Sequence, residues 1–204
     1  MRELTPFLVV AGFVAIVATV ACLAHLYEKK RSAALKALAE SMSLPFFPHG
    51  DLSLVQTLSS FPLFAQGRNK TISNMIHGDT EDTDLAIFDY CFTTGSGKHK
   101  HTTRQTVVYF DSRRLSLTDF AVRPEGLFQK LGKIVGLDDI DFEDSPRFSS
   151  AFWLQGSNAA EVRKLFRSEV VQWFEKRLAV SAEGSGSRLI LYQAARRTAP
   201  ECGG

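Results

Sequence analysis

Phe7 to Leu26 reads FLVVAGFVAIVATVACLAHL, twenty consecutive residues without Asp, Glu, Lys or Arg. At about 1.5 Å rise per residue, twenty helical residues cover about 30 Å, the hydrocarbon thickness of a bilayer. This stretch therefore predicts a transmembrane helix, with Phe7, Phe13, Ile16, Leu23 and Leu26 meeting lipid. Pro6 suits a first helical turn, where its missing N–H has no partner to lose, and the Thr19 hydroxyl can return to a backbone carbonyl. A cleaved signal peptide fits less well. Arg2 is offset by Glu3, and the apolar run exceeds the usual 7–15 residues. Thr19-Val20-Ala21-Cys22 lacks the leucine of a lipoprotein processing box, and the chain stays apolar beyond it.

Flanking charge orients the span. Lys29, Lys30 and Arg31 follow it, against a lone Arg2 before it, so the positive-inside rule expects a cytoplasmic C-terminal domain. Without the first 26 residues the remaining chain is about 41% apolar, an ordinary globular composition. Charge is nearly balanced, 24 Lys+Arg against 22 Asp+Glu. That excludes a strongly basic nucleic-acid binder and an acidic disordered chain. Of three cysteines, Cys22 lies in the span and Cys202 in the tail, which is no secreted disulfide framework.

Four segments follow: an anchor over residues 1–26, a juxtamembrane helix over 27–44, an α+β domain over 45–195 and a flexible tail over 196–204. In the second, Leu35, Leu38 and Met42 form one apolar stripe opposite Lys29, Lys36 and Glu40. Pro45 and Pro48 break it. Strands are expected around 70–77, 85–93 and 106–110, joined as an antiparallel meander because the connections are too short for crossovers. A short helix is expected from Glu125 to Leu131, started by Pro124 and ended by Gly132. Asn158 and Glu161 form a capping box for a helix whose apolar face runs from Val162 to Phe174. Strands at 178–182 and 188–193 flank Glu183-Gly184-Ser185-Gly186-Ser187, which reads as a flexible hairpin loop.

Catalytic motifs are wanting. Gly95-Ser96-Gly97-Lys98 is not a phosphate loop, because Phe92 stands where the first glycine belongs and His99 where a hydroxyl should bind magnesium. Lys98 and Lys100, with Lys29, Lys30 and Arg31, are the candidate contacts for anions or a membrane surface. His99 and His101 share a face of an extended strand, yet two ligands do not complete a zinc site. The acidic run Asp138-Asp139-Ile140-Asp141-Phe142-Glu143-Asp144 puts Asp139, Asp141 and Glu143 on one side, but without the glycine and terminal glutamate of a calcium loop. Asp89 interrupts the apolar run Ile87–Phe92. Buried, it needs a partner, and Arg123 and Lys98 are the candidates. The chain ends Cys202-Gly203-Gly204, a Gly-Gly terminus of the kind sulfur carriers use.

Phe88-Asp89-Tyr90, Thr106-Val107-Val108-Tyr109-Phe110, Arg123-Pro124-Glu125, Asp139-Ile140-Asp141-Phe142 and Phe148-Ser149 resemble bacterial hypothetical membrane proteins with one N-terminal helix, over residues 7–195. That group has no assigned activity, so the resemblance implies topology and no catalytic residue. The expectation is a single-pass membrane protein whose α+β domain binds a protein or lipid-bilayer partner, without cofactor, metal or nucleic acid. The alternative is a membrane-tethered hydrolase or metal-dependent enzyme using Asp139, Asp141 or Glu143 with His99 or His101.

Overall fold

The computed structural model describes residues 5–126 and 138–200, with side chains from Ala15 onward except those of Leu52, Asp138 and Asp139. Helix α1 (Thr5–Ser41) leads to strand β1 (Phe46–Phe47) and short helices α2 (Leu52–Thr57) and α3 (Pro62–Ala65). Four strands follow: β2 (Arg68–Asp79), β3 (Thr83–Thr94), β4 (His101–Ser112) and β5 (Leu117–Pro124). Then come β6 (Asp138–Asp139), α4 (Pro146–Ala151), β7 (Phe152–Gly156), α5 (Ala159–Leu165), α6 (Ser168–Glu175), β8 (Val180–Gly186) and β9 (Arg188–Gln193). The described strands form one antiparallel sheet in the order β1-β2-β3-β4-β9-β8-β5-β7-β6.

The sheet's two faces follow from strand alternation. On one face Phe88, Tyr90 and Phe92 of β3 meet Val107 and Tyr109 of β4 and Ile190 and Tyr192 of β9. Leu58, Phe61, Leu63 and Phe64, around α2 and α3, cover them. On the other face Phe120 and Val122 of β5, Phe152 and Leu154 of β7 and Ala182 of β8 pack under Phe148, Val162, Phe166 and Phe174 of α4 to α6. That same face is covered by α1 at its opposite end, through Leu35 and Ala39 against Ile76.

Local chemistry explains several details. Asn69 and Asn74 take the left-handed conformation (φ 52° each) at the two register shifts of β2, where asparagine tolerates a bulge that other side chains resist. Asp51 caps α2 by accepting from the Ser53 N–H. Asn158 caps α5 by accepting from the N–H groups of Ala160 and Glu161; Glu161 itself turns to Lys164. The expected single helix over 158–174 is two, because Arg167 lies in extended conformation (ψ 168°) between α5 and α6.

The N-terminal expectation is corrected. Among the described residues no helix is long and apolar enough to cross a membrane. Anchor and juxtamembrane helix are one continuous rod, α1. The uncharged stretch of that rod runs up to Tyr27. Glu28, Lys29, Lys30 and Arg31 follow at once, and the helix is then tied into the domain. The cell-membrane placement and the cytoplasmic orientation argued from those basic residues fall with the span. Ile16, Leu23 and Leu26 are exposed; the side chains of Phe7 and Phe13 lie outside the described residues.

Three further expectations change. Residues 117–124, read without a strand, form β5, whose N–H and C=O groups pair with β7 and β8. The expected helix beyond Glu125 and the Gly-Gly terminus lie outside the described residues. Glu183 and Gly184 are not loop but buried strand, and a Cβ on Gly184 would stand 2.3 Å from the Phe120 ring.

Candidate functional site

Two buried ion pairs organise the interior. Arg31 of α1 forms a bidentate pair with Asp89: Nε donates to Oδ2 and Nη2 to Oδ1, each at 2.7 Å. Nη1 also donates to the Thr198 carbonyl (2.8 Å). Asn74 and Thr106 donate the remaining bonds to the Asp89 carboxylate. Arg197 reaches Glu28 beside this clasp, so helix α1 and the C-terminal segment are pinned to the sheet at one place. Asp89 therefore pairs with neither Arg123 nor Lys98. Arg123 serves Glu183, its Nη2 donating at 2.6 Å. Glu183 also accepts from the Tyr192 hydroxyl and the Leu63 N–H. Burial, and then the Glu183 charge, push the Tyr192 phenol well above its ordinary value. These partners leave both carboxylates committed to structure.

Between the two groups of helices the sheet is only partly covered, and a cleft of about 420 Å³ opens there. Leu189 and Leu191 of β9 and Leu117 of β5 form its floor; Val170, Trp173 and Leu165 form its helical wall. All but Trp173 are half-buried, and Trp173 is exposed, so the wall offers apolar surface that the fold itself does not consume. The only charged side chain on this lining is Glu169. Trp173 and Leu191 also border a second hollow of about 510 Å³, which continues over Val108 toward Thr198. Lys176 and Arg177 stand on that side, and the Arg177 guanidinium lies over the Trp173 ring at 4.4 Å. One end of this surface is hydrocarbon and the other is cationic.

No family model matches the chain, and no curated protein does. Among solved structures it is similar to the crystal structure of the mycobacterial trehalose monomycolate transport factor A, TtfA, with a TM-score of 0.60 at 11% identity. The match covers 81% of this chain and 82% of that one. The likeness is one of fold. It extends over most of both chains.

None of the residues singled out from sequence as contacts for anions, a membrane surface or a metal lines the cleft. Lys29 and Lys30 are exposed on α1, and Lys98 and Lys100 are exposed at the tip between β3 and β4. Arg31, expected at a surface, is buried in its pair with Asp89. His99 and His101 sit at the β3–β4 tip, whereas the acidic run enters the sheet at β6. Five strand steps separate β4 from β6, about 24 Å at ordinary strand spacing. Asp141 and Glu143 are exposed, and among the described residues no group of three or more His, Cys, Asp or Glu side chains could hold a metal. The side chain of Asp139 lies outside the described residues. Among the described side chains, Asp141 and Glu143 thus do not come together with His99 or His101. Sequence reading places Leu165, Val170 and Trp173 on the apolar face of a helix, and the structure adds that Lys176 and Arg177 stand next to that face.

Proposed function

We propose that this chain is a transport-associated binding module for an amphiphile, with the hydrocarbon portion in the cleft between α6 and β9 and an anionic or polar head beside Lys176 and Arg177. The observation that carries the reading is the continuity of an apolar cleft with a cationic rim across Trp173 and Leu191. A protein partner needs a broader and flatter apolar patch; a narrow cleft between helix and sheet suits a chain. The fold likeness supports it as well, since the similar structure bears the name of a transport factor for trehalose monomycolate.

Energetics set the expected affinity. Twelve methylenes at about 0.8 kcal/mol each give about 10 kcal/mol of gross burial. Losing at least about 4 kcal/mol to association leaves a Kd of tens of micromolar. Dodecyl phosphate, titrated below its micellar concentration and followed by Trp173 fluorescence, should bind in that range. Hexyl phosphate should bind at least a hundredfold more weakly. Val170→Trp, which fills the cleft, should abolish the change, and Lys176→Glu with Arg177→Glu should weaken it about tenfold. An affinity independent of chain length, or unchanged by Val170→Trp, would refute the reading.

A further inference from the structure

Between α1 and strands β2, β3 and β4 lies a hollow of about 460 Å³. The Arg31 clasp separates it from the amphiphile cleft: Thr106 and Thr198 border the hollow beside Trp173, whereas Asp89 borders this one. Thr71, Cys91 and Arg104 form one row across the three strands, because Cys91 is the register partner of both others. Ser73 and Asp89 pair in the next row on the same face. His25, Lys29 and Ser32 line the hollow from one side of α1, and His49 closes it from the loop after β1. Arg104 and Arg197 are shared with an adjoining hollow of about 430 Å³, which adds Arg196 and His101.

Charge on these linings is one-sided. Among the described residues their carboxylates are Asp89 and Glu28, and each already has its cation: Arg31 holds Asp89 and Arg197 holds Glu28, both at 2.7 Å. Lys29, Arg104 and Arg196 are exposed and form no ion pair among the described residues. The chain carries 22 Asp+Glu, so three unmatched cations on one ground do not reflect a shortage of acids. A hollow lined by one sign of charge focuses its field and concentrates ligands of the opposite sign. The imidazoles of His25 and His49 and the hydroxyls of Ser32, Thr71 and Ser73 supply further donors around it.

We propose that this hollow binds a small phosphate monoester, with the phosphate between Lys29 and Arg104 and a hydroxylated body toward Ser32, Thr71 and Ser73. The arginine fork offers parallel N–H donors to two phosphate oxygens, and the lysine ammonium adds a compact point charge. A carboxylate has one charge and two oxygens, which leaves one of the two cations unmatched. The lining has no Leu, Ile, Val or Phe, so an acyl chain finds no seat here. Its volume falls within the roughly 300–1,000 Å³ of small-molecule sites, more than a bare phosphate ion fills.

Phosphorus NMR titration of the full chain with glycerol 3-phosphate, at about 0.1 M salt to screen diffuse attraction, tests the assignment. The ester should bind with a Kd of about 0.1–1 mM. Inorganic phosphate should bind at least about fivefold more weakly, and glycerate at equal concentration should not displace the ester. Lys29→Glu with Arg104→Glu should weaken binding by about tenfold or more; Arg104→Gln alone, with a loss of about fivefold, carries the test if the double variant does not fold. Lys98→Glu with Lys100→Glu, at the strand tip outside both linings, and Val170→Trp in the cleft should leave the affinity unchanged. An equal loss in the strand-tip variant, or loss of binding in Val170→Trp, overturns the proposal. So does an affinity that survives Lys29→Glu with Arg104→Glu, an inorganic phosphate bound as tightly as the ester, or displacement by glycerate.

Discussion

Replacing Arg31 by Ala isolates what the clasp between α1 and the sheet contributes. In the native chain Arg31 donates four hydrogen bonds: two to Asp89, one to Thr106 Oγ1 and one to the Thr198 carbonyl. After the substitution Asp89, 5% exposed, keeps only Asn74 and Thr106, each at 3.1 Å. Its charge is then buried without a cation, and breaking one side of such a pair costs about 3–5 kcal/mol. With a urea slope of about 2 kcal/mol per molar, the unfolding midpoint should fall by about 1.5–2.5 M. The companion variant carries Arg31→Met together with Asp89→Leu. Removing both charges leaves no unpaired buried charge, so this double variant should be clearly more stable than either single one. A midpoint that moves by less than about 0.3 M in Arg31→Ala refutes the clasp. So does a double variant whose loss equals the sum of the single losses.

Other consequences concern the opposite face and the sheet itself. Burial pushes the phenols of Tyr90, Tyr109 and Tyr192 above their ordinary value, with Asp111 adding to Tyr109 and Glu183 to Tyr192. The folded chain thus holds those protons more tightly than the unfolded one, so stability should be independent of these groups below about pH 10 and fall above it. Thermal melts between pH 9 and 11.5 should show this decline, less steep in Tyr90→Phe; an equal slope in that variant contradicts the assignment. Glu183→Gln should cost about 3 kcal/mol or more in urea unfolding, since Arg123 stays buried without its anion; a loss under about 1 kcal/mol argues against the pair. Gly184→Ala should destabilise by about 1–3 kcal/mol because its methyl meets the Phe120 ring, and an unchanged melting temperature would show that the ring yields freely.

The β2–β3–β4 meander was legible because its signals are local: alternating apolar residues and short polar turns. The closure of the sheet was not. β4 pairs with β9 some eighty residues later, and no neighbour-to-neighbour pattern announces that contact. Asp89 stood out as a charge in an apolar run, but its partner was sought among Arg123 and Lys98 because Arg31 read as part of a basic surface flank. Glu183 was read as loop because Gly184 and Gly186 flank it with Ser185; what makes the first glycine necessary is the Phe120 ring on the paired strand. Arg167, whose extended backbone ends one helix and begins another, has no distinctive side-chain signature. The cleft depends on how far α6 stands from β9, a distance set by packing rather than by any motif.

The position of β9 at the middle of the sheet has a bearing on how the chain is made. On a ribosome, β2, β3 and β4 emerge and can pair long before residues 188–193 exist. Until then β4 is an open edge carrying Val107, Val108, Tyr109 and Phe110, the type of surface that recruits strands from other molecules. The Thr198 carbonyl that completes the Arg31 clasp arrives later still. Release of nascent chains truncated before residue 188 should therefore yield aggregates rather than a smaller folded unit, and full-length synthesis should be what closes the molecule.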